Sequence, residues 1–170
     1  MMNDKGRKES EKKYQLKRSE DFYIKKVLKE THLGEIMNTP VVALREDAPF
    51  SQVAEKIGGS GGKRHLPIVD QNNKLVGLMT QRDLYKILPP RKLIEGEWFY
   101  DKESLDAITL KNVMIKNPLS MHPEDPVGEA LLAMVRTKYG CIPIVDKNNI
   151  LLGIVTQMDI LKIAAQIYEE

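Results

Sequence analysis

Two short segments of this 170-residue chain carry the residue types and spacing best suited to chemistry: Thr80-Gln81-Arg82-Asp83 and Thr156-Gln157-Met158-Asp159. Each Thr-x-x-Asp follows an apolar run and opens a helical pattern. A threonine hydroxyl at such a start accepts from the backbone amide three residues on, and the acid reaches back to the amide of the threonine. That capping role is sufficient for a single copy. Two copies support a second reading, because a strand end meeting a helix start leaves free amides and a positive dipole end. A hydroxyl and a carboxylate placed there suit the vicinal hydroxyls of a ribose, and the dipole end suits a phosphate.

Cations stand close by. The run Gly58-Gly59-Ser60-Gly61-Gly62 leads straight into Lys63-Arg64-His65. It reads either as a glycine helix stop with a flexible loop or as a phosphate-holding loop. It is not a P-loop: the spacing from the first Gly to Gly-Lys is one residue short, and Arg64 stands where Ser or Thr must bind magnesium. Arg82 of the first motif has Met158 as its counterpart, and Lys138 offers a further cation. His32, His65 and His122 show no metal-ligand spacing with Cys141, so no metal site is expected. Cys141, the single cysteine, precedes an apolar run and reads as an inert core thiol. No Ser/His/Asp order, no Gly-x-Gly-x-x-Gly and no close acid pair marks an active site, so no catalytic residue is expected.

The elements that must position these groups occur twice. His65-Leu66-Pro67-Ile68-Val69-Asp70 recurs 76 positions later as Cys141-Ile142-Pro143-Ile144-Val145-Asp146. An Asn pair follows each, and then Leu75-Val76-Gly77-Leu78-Met79 answers Leu151-Leu152-Gly153-Ile154-Val155. Upstream, Met37 with Pro40 answers Met114 with Pro118. In each copy a short extended piece (41–44; 119–121) leads to a Pro-marked helix start. Phe50, Val53, Ala54 and Ile57, and then Val127, Ala130, Leu131, Met134 and Val135, fall at amphipathic-helix spacing. The two apolar runs around the Asn turns are nearly continuous, as in strands buried on both faces. Leu84, Ile87 and Leu88, and Ile160, Ile163, Ala164 and Ile167, mark a closing helix. The fold class is α+β: two tandem β-α-β-β-α repeats packed with pseudo-twofold symmetry, plus an N-terminal helix. Neither unit alone is large enough for a comfortable core.

The expected divisions are a basic N-terminal leg with a helix (1–32), repeat one (33–88), an insert (89–108) and repeat two (109–170). The helix is expected to dock one edge through Phe22, Ile24, Val27 and Leu28. Pro89-Pro90 stops the first closing helix, and Trp98-Phe99-Tyr100 reads as an anchor against the body of the protein. Apolar residues make up 42% of the chain, enough for a packed interior. No run approaches a membrane span, and the start lacks the apolar stretch of a secretory signal. With one cysteine these features point to the cytoplasm. Net charge is +2, yet residues 1–30 hold ten Lys/Arg against six acids. The interleaved acids favour a solvated helix over a nucleic-acid-binding or membrane-binding arm.

The pattern h-Pro-h-h-Asp, an Asn turn, then h-h-Gly-h-h-Thr-x-x-Asp-h, present twice, resembles a tandem pair of CBS domains over residues 33–88 and 109–166. The resemblance implies two clefts that bind AMP, ADP, ATP, S-adenosylmethionine or related adenosyl ligands. It implies a role reporting energy or metabolite status to a protein partner, and a homodimer. It also implies that each cleft takes its Thr-x-x-Asp from one repeat and its adenine pocket from the other. The first cleft is then Thr80, Arg82 and Asp83 opposite Met114, Pro118, Ser120, Tyr139, Gly140 and Cys141. The second is Thr156, Gln157 and Asp159 opposite Met37, Pro40, Val42, Lys63, Arg64 and His65. With Lys63 and Arg64 at its wall, the second is expected to hold a phosphorylated ligand more tightly. A nucleic-acid binder using the basic leg, and a dimerisation module with empty clefts, are the alternatives.

Overall fold

A computed structural model describes residues 20–58, 62–87 and 102–169. Within them the order is α1 (Glu20–Glu30), α2 (Leu33–Ile36), β1 (Leu44–Arg45), α3 (Phe50–Gly58), β2 (His65–Val69), β3 (Leu75–Thr80) and α4 (Gln81–Ile87). There follow α5 (Lys102–Asp106), α6 (Leu110–Val113), β4 (Ile115–Lys116), α7 (Val127–Thr137), β5 (Cys141–Val145), β6 (Leu151–Thr156) and α8 (Gln157–Glu169). Gly59-Ser60-Gly61, Leu88, Pro89-Pro90 and Trp98-Phe99-Tyr100 lie outside the described residues.

Each apolar run forms a hairpin around its Asn turn. β2 pairs antiparallel with β3 in the register His65–Thr80, and β5 with β6 in the register Cys141–Thr156. At the turn the Asp70 carboxylate accepts from the amides of Asn72 and Lys74 (2.8 and 2.9 Å), and Asp146 does the same for Asn148 and Ile150. Asn73 and Asn149 supply the left-handed residue the turn requires, at φ 61° and 66°, a conformation asparagine tolerates better than most side chains.

The short opening strand lies where expected only in part. In the first repeat it is β1, parallel to β2, and starts at Leu44 rather than Val41. In the second it shrinks to a bridge between Met121 and Ile144. The residues just before it go elsewhere. β4 leaves the second repeat and adds to β3, giving the sheet order β1-β2-β3-β4. Asn38 reciprocates by bridging to Ile154 of β6 (N–O 2.9 Å).

The cores are exchanged in the same way. Phe50, Val53, Ala54, Ile57, Leu66, Ile68, Met79 and Leu84 of the first repeat are buried together with Leu105, Leu110 and Met114. Val127, Ala130, Met134, Ile142, Ile144, Val155, Ile160 and Ile163 are buried with Leu33, and Val27, Leu28, Ile36 and Met37 pack against them. Two glycines make room for the crossing methionines. A Cβ on Gly153 would lie 2.7 Å from Met37 Sδ, and one on Gly77 would collide with Met114 Sδ. The Gly in each h-h-Gly-h-h run is therefore a close-approach residue.

The helical faces follow their spacing with two exceptions. Val135, one residue past buried Met134, turns ~100° off the core face and is exposed, as is Ala164. The N-terminal helix docks on the second repeat, through Val27 and Leu28 and across Gly128, whose added Cβ would meet Leu28 O at 3.0 Å. Phe22, expected in that contact, is exposed. From the insert, α5 buries Leu105, and Asp106 accepts from the Ser51 amide at 3.0 Å.

The repeats are locked together at the hairpin tips. The Leu75 amide donates to Asn149 C=O (2.9 Å), the Leu151 amide to Asn73 C=O (3.1 Å), and the Asn149 side-chain amide to Leu75 C=O (2.8 Å). Val69, Leu75, Val145 and Leu151 form a shared apolar cluster behind this clasp.

Candidate functional site

The strand ends opposite the clasp open into one continuous crevice of about 1350 Å³. Each hairpin register sets it up: ending β3 at Thr80 and β6 at Thr156 brings both Thr-x-x-Asp motifs to its walls. In both, the acid reaches back to its threonine. Thr80 Oγ1 donates to Asp83 Oδ2 at 2.6 Å, the Thr80 amide donates to the same oxygen at 3.3 Å, and the Asp83 amide donates to Thr80 Oγ1 at 3.2 Å. Thr156 Oγ1 and its amide donate to Asp159 Oδ2 at 2.7 and 2.8 Å. The threonine thus occupies Oδ2, while Oδ1 lies near Lys86 at 3.7 Å in one copy and Lys162 at 3.5 Å in the other.

The crossing segments make the two copies unequal. The Asn38 side-chain amide donates to Asp159 Oδ2 at 2.8 Å; the equivalent residue in the other crossing segment is Ile115, which has no such group. Asp159 is only 7% exposed. Burial pushes its carboxyl up, but the Thr156 hydroxyl and amide, Asn38 and Lys162 together hold it below its ordinary value.

Most sequence-predicted residues border the crevice. Thr80, Arg82 and Asp83 do so with Pro118, and Thr156, Gln157 and Asp159 do so with Pro40 and Val42. Lys63, Arg64, His65, Tyr139, Gly140 and Cys141 line it as well. Met37, Met114 and Ser120 do not line it: the methionines are held over Gly153 and Gly77. The main chain of the basic segment also lies differently from expectation. Antiparallel pairing sets His65 against Thr80, and the Gln81 amide donates to Arg64 C=O at 2.9 Å. The matching partner of the Gln157 amide is Gly140 C=O (3.1 Å). The His65 imidazole reaches toward the other repeat, so close to Gly140 that an added Cβ would lie 2.8 Å from Nε2. Burial, and then Arg64, lower the pKa of that imidazole. The Cys141 thiol is pushed up to about 12 by burial alone, which keeps it protonated and inert.

Residue-by-residue reading missed Asn38, Ile115, Tyr85, Lys86 and Leu161, all on the crevice. The available signal was positional: Asn38 and Ile115 directly follow the paired methionines. Among the described residues no cluster of His, Cys, Asp and Glu could hold a metal ion, and no helix is long and apolar enough to cross a membrane.

Two β-α-β-β-α units with exchanged opening segments, joined at their hairpin tips and sharing a crevice between paired Thr-x-x-Asp motifs, define a tandem cleft module. The CBS-domain family model matches residues 33–90 and 110–166, and the chain belongs to the CBS-domain family. It is 31% identical over 120 residues to a CBS domain-containing protein of Dictyostelium discoideum, covering 69% of this chain and 80% of that protein. It is also 29% identical over 140 residues to a homoserine O-acetyltransferase of Methanococcoides burtonii, covering 82% of this chain and 25% of that enzyme. The chain spans about a quarter of the length of the curated relatives it matches first, so acetyl transfer is a property stated of those longer proteins. A solved CBS domain pair in complex with 5′-methylthioadenosine and S-adenosyl-L-methionine superimposes with a TM-score of 0.63 at 25% identity, over 80% of this chain and 97% of that one. CBSX2 in complex with AMP has the same fold, with a TM-score of 0.65 at 21% identity over 81% of this chain and 98% of that one.

Proposed function

We propose that this protein is a non-catalytic regulatory module that binds adenosyl ligands (AMP, ADP, ATP or S-adenosylmethionine and its relatives) and signals their level to a protein partner. The observation that supports this most directly is the shared crevice walled by two Thr-x-x-Asp motifs, each carboxylate ordered by its own threonine through Oδ2. A carboxylate so placed suits a ribose diol, and each charged hydrogen bond it makes is worth ~1.5–3 kcal/mol. Ligand-bound relatives with this fold support the adenosyl class. Signalling requires that the ligand bind one arrangement of the two repeats better than another. A homodimer and a cytoplasmic setting complete the proposal.

Isothermal titration of the whole chain with AMP, ATP, S-adenosylmethionine and 5′-methylthioadenosine tests the reading. At least one ligand should bind, and the double variant Asp83→Ala/Asp159→Ala should lower its affinity by roughly ten- to a hundredfold whichever cleft it occupies, as expected from one lost carboxylate contact per cleft. Binding unchanged in the double variant overturns the site. No binding to the wild-type chain favours the dimerisation module with empty clefts.

A further inference from the structure

The two cleft walls carry different chemistry at matched positions. On α4, Arg82 and Tyr85 face the crevice; the same positions on α8 are Met158 and Leu161, 58% and 59% exposed on its rim. Lys86 and Lys162 cancel in the comparison, since each stands over its own aspartate. The hairpins add to the contrast. The segment hydrogen-bonded beside Thr80 brings Lys63 and Arg64, whereas the segment beside Thr156 brings Tyr139 and Gly140, with Lys138 its one cation. The carboxylates differ as well, for Asp159 Oδ2 carries a third donor from Asn38, whose counterpart in the other crossing segment is Ile115.

A phosphate monoester brings a charge of about −1.5 to −2 at pH 7, and guanidinium groups recognise it through paired, charge-assisted hydrogen bonds. Beside Asp159 the matched position gives it a thioether instead. An uncharged 5′-substituent gains there, because exposed Met and Leu side chains are buried against it at ~25 cal/mol per Å². We infer that the clefts divide ligands by charge. The Thr80/Asp83 cleft takes a 5′-phosphorylated adenosine through Arg82 and Arg64, and the Thr156/Asp159 cleft takes an uncharged 5′-substituted adenosine against Met158 and Leu161. This rests on the adenosyl reading above and reverses the assignment expected from the sequence, in which Lys63 and Arg64 served Asp159.

Titration of the full chain with AMP and with 5′-methylthioadenosine, separately and together, decides the matter. Arg82→Met should weaken AMP at least tenfold and leave methylthioadenosine within twofold. Met158→Arg should weaken methylthioadenosine and raise AMP from one site per chain to two. Both positions are on the surface, so circular dichroism should show the fold intact. Asp83→Ala should remove AMP binding alone and Asp159→Ala methylthioadenosine binding alone. AMP affinity unchanged in Arg82→Met, or AMP lost in Asp159→Ala and retained in Asp83→Ala, overturns the division while leaving the adenosyl reading standing. Failure of the wild-type chain to bind AMP and methylthioadenosine overturns the division, and failure to bind ATP and S-adenosylmethionine as well overturns the adenosyl reading too.

Discussion

Asp159 shows how a carboxylate is kept charged in a nearly closed site. Three donors converge on one oxygen, two from Thr156 and one from Asn38, which arrives from the other repeat. Its pKa is lowered in the folded chain, so its contribution to stability is present above the ordinary carboxylate range and is lost as pH falls through the folded value. Asn38→Ala removes one of those donors and should cost about 1.5 kcal/mol at pH 7, the lower end for a hydrogen bond to a charged group. The cost should shrink at a second, acid pH below the ordinary carboxylate range, where Asp159 becomes protonated in the variant and then in the wild type. Urea unfolding of both proteins at the two pH values measures it; a gap that stays constant with pH would show that Asn38 acts through packing alone.

At the scale of elements, the decisive feature is the exchange of opening segments. Leu33, on α2 at the start of the first repeat, is fully buried in the second core, and Leu110, on α6 at the start of the second repeat, is buried in the first. The crossing is held by backbone pairing as well, through β4 on β3 and Asn38 on β6. Leu33→Ala should destabilise the chain by ~2–5 kcal/mol. In native-state hydrogen exchange the loss should appear first in β5 and β6, over a hundred residues away in sequence, rather than in β2 and β3. Leu110→Ala should give the reverse order. Faster exchange confined to the repeat that contains the substitution would contradict the exchanged packing.

For the whole molecule, reciprocal cores and the hairpin clasp imply that neither half keeps its interior when the other unfolds. Two apolar clusters lie between the repeats, one behind the Asn turns and one joining Leu78, Cys141 and Ile154 under the crevice. Equilibrium unfolding in urea should therefore be a single transition, with far-UV circular dichroism and hydrogen exchange of both hairpins following the same curve. Two separated transitions would show that the repeats are independent folding units. The same arrangement fixes the repeats at the clasp and places the crevice at the opposite strand ends, where a ligand touching both walls has most leverage on their relative angle.

The sequence by itself determined the repeat, the hairpins, their Asn turns and the strand-end position of both Thr-x-x-Asp motifs, because period, turn chemistry and capping are local properties of a chain. It also determined the buried faces of α3 and α7, apart from Val135. The exchange of opening segments was expected only through the family resemblance; the tertiary structure alone decided that β4 adds to β3 and Asn38 to β6, that Met37 and Met114 lie over glycines rather than in the crevice, and that Asn38 serves Asp159. Those outcomes depend on contacts between residues far apart in sequence. The repeat that made the fold legible also concealed the exchange, since a segment fits its own copy and its neighbour's with nearly the same pattern. Around the paired Thr-x-x-Asp motifs, the sequence already showed unequal neighbours in Lys63, Arg64, Arg82 and Met158; the tertiary structure added Asn38, brought across from the other repeat to Asp159.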